Sequence, residues 1–351
     1  MNQRADKTGS EPADDDLDER SDDDAPDGAR RRPGIRGITV LCGLAVAWLI
    51  ATLASAHASV TGNVAEPSVA LGATAFALPN VIAATLLAAS GMGLLIATLA
   101  VRSPRLATAL RLSLGTAETS TRGRLLLGIA AGVLVAAVGA GLVLVGYGGN
   151  ASVGRLAATI AVAALIGGAA TALPRPVLAA GVAGTLGVLL LGLVVSMMQP
   201  RLVDLFGATA SPASQINASW TLAYVQAAVG GILAGVLSFR LLRRHGSRAW
   251  PWYLLAGAAP GLLLLITEVL TRTGGAALLG LVRGLSDGDA IAVDLNNFAR
   301  LRNAMLVLFI GGLTAMIAVG RTMRASAPAG GDEEHRHGRD PDGEETGADE
   351  R

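Results

Sequence analysis

Eight apolar runs divide the chain, each close to the roughly 17–25 residues a helix needs to cross a hydrocarbon layer. They fall near 37–58, 79–101, 125–147, 155–173, 177–198, 221–241, 252–271 and 303–320. None alternates with the period of two that marks a strand, and each is far longer than a strand. The pattern predicts an all-α integral membrane protein of eight transmembrane helices. Residues 1–36 are expected as a disordered acidic N-terminal tail with a basic juxtamembrane end. Residues 325–351 are expected as a second disordered acidic tail, because neither segment holds enough apolar surface to fold.

Charge tests the count. The segments 102–124, 174–176 and 242–251 carry Arg102, Arg105, Arg111, Arg122, Arg124, Arg175, Arg243, Arg244 and Arg248, and Arg321 and Arg324 follow the last run. The segments between them, 59–78 and 148–154, hold no Lys or Arg, 199–220 holds only Arg201, and the last, 272–302, is mixed. Positive charge thus alternates with the runs, which by the positive-inside rule puts both termini in the cytoplasm. Arg30–Arg36, the first run and Ala56-His57-Ala58 imitate a signal peptide. The leader and the apolar stretch are too long for one, so an uncleaved span is expected.

Composition agrees: 52% of the 351 residues are hydrophobic and 16% charged, against about 25% charged in soluble domains. Lys7 is the single lysine. The Arg and Ala bias suits a GC-rich bacterial genome, so a bacterial plasma membrane is the expected location. The bilayer is the first partner implied. Protein partners, if any, are expected at the long tails; nothing points to nucleic acid, and no feature sets an oligomeric state.

The two halves, 37–173 and 174–324, resemble each other as parallel four-helix repeats. Gly72-Ala73-Thr74-Ala75 matches Gly207-Ala208-Thr209-Ala210, Leu126–Gly132 matches Leu255–Gly261, and Ile166-Gly167-Gly168 matches Ile310-Gly311-Gly312. Such a repeat predicts a groove between the halves. The Gly-xxx-Gly pairs Gly128/Gly132, Gly231/Gly235 and Gly257/Gly261 read as close helix contacts within the molecule. Pro260 should kink the seventh span, more as shape than as a hinge.

Little else carries chemistry. Glu268 is the one carboxylate inside a predicted span, about one turn from its outer end, with Arg272 on the same face to pair with it. Gln226 is a candidate polar residue in the sixth span. The segment 272–302 is read as an outer loop whose apolar start lies on or re-enters the membrane. It gathers Asp287, Asp289, Asp294, Asn297 and Arg300 as a candidate polar site. Cys42 reads as a small apolar residue. The four histidines have no metal-ligand spacing, and no Walker loop, dinucleotide fingerprint or nucleophile elbow is present. No cofactor, metal or enzymatic activity is therefore expected. The leading expectation is permease-like transport or binding of a small molecule or lipid between the halves. The alternative is a non-catalytic scaffold or regulator in cell-envelope assembly or division.

Overall fold

The structure is a computed structural model that describes residues 35–61, 67–102, 121–147, 151–207, 209, 211–245 and 249–324. Residues 1–34 of the expected N-terminal tail, the expected tail 325–351, Arg105, Arg111 and Arg248 lie outside the described residues, while Ile35 and Arg36 open the first helix. The described chain is helical throughout, in the order α1 (Ile35–Thr61), α2 (Pro67–Arg102), α3 (Thr121–Tyr147), α4 (Ala151–Ala169), α5 (Arg175–Leu205), α6 (Pro212–Arg244), α7 (Trp250–Gly274), α8 (Ala276–Arg283) and α9 (Asp287–Arg324). All but α8 are long and apolar enough to cross a bilayer, so this is an all-α, eight-span membrane protein. Eight crossings return the chain to its starting side. That side is called the terminal face here, and its opposite the distal face.

The helices outrun the predicted spans because backbone hydrogen bonding does not stop where lipid stops. Arginines and amphipathic aromatics mark where it does. Tyr224 on α6, Arg272 on α7 and Arg302 on α9 stand at the distal end. Arg244, Trp252 and Arg321 stand at the terminal end of the same three helices. About 30 Å of helix separates the two levels in each, which is the thickness of a hydrocarbon core. The 38 residues of α9 extend about 57 Å, so its first four turns project past the distal level.

The expected outer loop over 272–302 is therefore corrected to a helical cap. Gly274 and Gly275 end α7 where a Cβ on either would strike Thr159 of α4 or Leu78 of α2. The short helix α8 then buries Leu279 and Val282 against Ala75 of α2 and Val293 of α9. Ser286 starts α9: its Oγ accepts from Asp289 N at 3.1 Å and donates to Asp289 Oδ2 at 2.7 Å. This is a serine N-cap, and it satisfies an amide that has no partner within the helix.

α2 is the central helix. Of its apolar stretch 83% is buried, against 22% for α1. Its core run, Ala83-Ala84-Thr85-Leu86-Leu87-Ala88-Ala89-Ser90, is small enough for α1, α3, α4, α5 and α7 to pack around it. Packing order is the same in the two sets of four spans. In each, the first helix pairs with the second, the third with the fourth, and the second with both of the others. One contact differs: α5 also touches α7, and nothing comparable joins α1 to α3.

Glycines set the tightest contacts. A Cβ on Gly128 would lie 2.1 Å from Gly168 O, and one on Gly168 would lie 2.2 Å from Gly128 O. Gly257 and Gly311 block each other in the same way, at 2.5 and 2.4 Å. Gly231 and Gly235 of α6 also meet Ile310 and Thr314 of α9, so Gly311 sits where α6, α7 and α9 converge. Gly132 and Gly261 face Ala164 and Leu308. Every glycine pair singled out in the sequence packs inside the molecule. The match between Gly72-Ala73-Thr74-Ala75 and Gly207–Ala210 has no structural counterpart. The first lies within α2, whereas Gly207 is a turn residue with φ of 87° that joins α5 to α6.

Candidate functional site

A polar cluster and an apolar cleft use opposite faces of α7. Glu268 is 3% exposed and accepts from two arginines. Arg272 Nε, one turn on, donates to Oε1 at 2.9 Å, and Arg300 Nε of α9 donates to Oε2 at 3.1 Å. Asn297 closes the group. Its backbone carbonyl accepts from Arg272 Nη2 at 3.2 Å, and its side-chain Oδ1 accepts from Arg300 Nη2. A carboxylate removed from water is tolerated only when it is paired and hydrogen-bonded, and here both oxygens are. The cluster sits at the distal lipid–water level, not at the bilayer centre.

The other candidates fall elsewhere. Asp294 pairs with Arg283 at the surface of the cap. Asp289 is held by the Ser286 hydroxyl at the start of α9, and Asp287 is an exposed first-turn residue that complements the helix dipole. Gln226 is not part of the cluster: its amide nitrogen stands over Gly192 of α5. It is two residues from Tyr224 and so about 200° around α6 from the face that meets α9. On that face the guanidinium of Arg302 lies 4.2 Å from the Trp220 ring centre and 4.1 Å from that of Tyr224. Its Nη1 also donates to Tyr224 Oη at 3.0 Å. This cation–π clamp was not anticipated. Its sequence signal is Trp220 and Tyr224 one turn apart.

The cleft lies between the halves. It has a volume of about 110 Å³, and its walls include Leu86 and Ser90 of α2, Ile166 of α4, Thr185 of α5, and Leu263 and Ile266 of α7. Ser90 and Thr185 offer no free donor. Ser90 Oγ donates to Leu86 O or Gly167 O, at 2.8 and 2.9 Å, and Thr185 Oγ1 to Gly181 O at 2.9 Å. The lining is thus apolar in effect. Glu268 does not face it, because two residues from Ile266 is again about 200° of helix. The candidates Glu268 and Gln226 thus lie apart, Glu268 with the two arginines and Gln226 against α5.

Pro260 lies beside the cleft and is buried. Having no N–H, it leaves Ala256 O without its helical donor. Ser238 Oγ of α6, itself fully buried, supplies one at 2.9 Å. Among the described residues no group of three His, Cys, Asp or Glu side chains is placed to hold a metal. No protein-family model, curated protein or solved structure matches this chain.

Proposed function

We propose that this protein is permease-like and binds or moves a lipid whose hydrocarbon chain enters the cleft between the two helical halves. The observation that carries this reading is the cleft: an apolar-lined space at the junction of α2, α4, α5 and α7 whose hydroxyls are already spent. A polar solute gains nothing there, since it would lose water and find no partner. A hydrocarbon chain loses nothing and gains packing. The shared packing order of the two sets of spans supports reading them as parallel repeats, and such folds place their ligand sites between repeats. The alternation of arginine along the chain supports a bacterial plasma membrane with both ends in the cytoplasm, which makes the distal face the outer one.

The test is reconstitution of the full chain in liposomes carrying fluorescent lipid, followed by bleaching from outside. Faster loss of inner-leaflet signal than in protein-free liposomes is the expected result. Leu263→Trp, which fills the cleft, should abolish the difference while the protein remains folded. Equal rates with and without protein, combined with no lipid retained on purification, would remove the proposal.

A scaffold reading has one specific observation in its favour. The hairpin of α5 and α6 carries Met197, Leu205 and Ile216 exposed at or past the distal level, with Met197 and Leu205 each 78% exposed. Apolar surface beyond the lipid suits a protein partner. Crosslinking from Leu205 in intact cells separates the readings: one recurrent protein adduct favours the scaffold, and none favours the permease.

A further inference from the structure

We propose that Arg272 and Arg300 form a phosphate clamp at the distal membrane surface, distinct from the cleft. Glu268 takes one Nε–H from each arginine, so the two guanidinium planes are fixed relative to one another by a single buried carboxylate. Asn297 takes an Nη2–H from each. Among the described residues no acceptor meets the Nη1 of either arginine. Two positive charges share one negative charge, and the group keeps a net charge of +1.

Exposure points the same way. The carboxylate is 3% exposed, while the Arg272 side chain is 44% and the Arg300 side chain 24% exposed. The negative member is inside and both arginine side chains reach the surface. Their level is that of Tyr224 and Arg302, where lipid phosphates lie. Arginine pairs suit a phosphate because each fork offers parallel N–H groups to its oxygens. The entropy of ordering both side chains has already been met by Glu268 and Asn297, so an arriving oxyanion meets a preorganised site. The ligand is a phosphate monoester, carried by a lipid headgroup or free in solution. Clamp and cleft lie on opposite faces of α7, so this assignment does not rest on the cleft reading.

The experiment uses the full chain in detergent and native mass spectrometry. Dioctanoyl phosphatidic acid is titrated against dioctanoyl phosphatidylcholine, in the parent protein and in Arg300→Gln, Arg272→Lys and, as a control, Arg201→Gln. The expected result is saturable, preferential binding of phosphatidic acid that weakens about tenfold or more in Arg300→Gln and Arg272→Lys, and not in Arg201→Gln. Arg272→Lys keeps the charge beside Glu268, so it guards against simple unfolding while removing the fork. Inorganic phosphate forms the second arm. Displacement of the lipid assigns the clamp to free oxyanions, and failure to displace assigns it to lipid. Equal binding of the two lipids, or equal affinity in the parent and both clamp variants, overturns the proposal.

Discussion

The hydroxyl of Ser238 donates to the carbonyl of Ala256 at 2.9 Å, across the contact of α6 with α7. That carbonyl is free because the residue four places on is Pro260. The pair makes a fixed joint between the two helices, with the freed backbone group satisfied by a neighbouring helix as lipid requires.

This joint predicts a coupling. Ser238→Ala leaves a buried acceptor unsatisfied and should lower stability by about 1 kcal/mol, the usual scale for hydrogen bonds between membrane helices. Pro260→Ala restores the missing N–H, so the same serine substitution should then cost close to nothing. Unfolding in mixed micelles, measured for both single variants and the double, gives the coupling directly. Additive effects would mean that the contribution of Ser238 does not depend on Pro260.

Glu268→Gln should act on stability before function. It strips the shared countercharge from two arginines, one of them nearly half exposed, so a loss of about 1–3 kcal/mol is expected rather than the larger penalty of a fully buried pair. A thermal melt in detergent checks it. An unchanged melting temperature would mean that the arginines are held by other contacts.

Gly311→Ala places a methyl 2.4 Å from Gly257 O at the meeting point of three helices. The helices must separate, at a cost of about 1–3 kcal/mol. Gly141→Ala is the comparison, because nothing lies within 4 Å of its Cβ position. A lower melting temperature for the first variant only is the expected outcome.

Membrane level is checked by spin labels in a Cys42→Ala background. A nitroxide at Ile291 should respond to a water-soluble relaxant, and one at Leu313 to oxygen. Both side chains are exposed on α9, at 61% each, so only their depth differs. The same response at both sites would remove the distal cap from water.

The spans were legible because a bilayer demands long apolar runs. Which helix is central was not. α2 and α1 have mean hydropathies of 2.0 and 2.2, yet one is enclosed and the other faces lipid. In lipid, hydrophobicity does not distinguish the two environments. The residual signal is small residues, such as Ala83, Ala84, Ala88 and Ala89. Within the polar cluster Arg272 was readable from its i,i+4 spacing to Glu268. Arg300, which arrives from 32 residues away, could be named only as a neighbour of the outer segment. The helical character of 287–302 was also on the page, in Ser286 and Asp289, but its polar residues resembled a loop. Helix turns that leave the membrane need no apolar face toward lipid, so hydropathy is silent about them.

The most direct measurement is photocrosslinking in native membranes from a benzophenone amino acid at position 263, in the cleft, beside the same probe at position 138. Val138 is 62% exposed on α3 and reports the bulk lipid. The account predicts that one lipid class is enriched among the adducts of position 263 relative to those of position 138. Adducts of the same composition at both positions, or only protein adducts at 263, would contradict a lipid site between the halves.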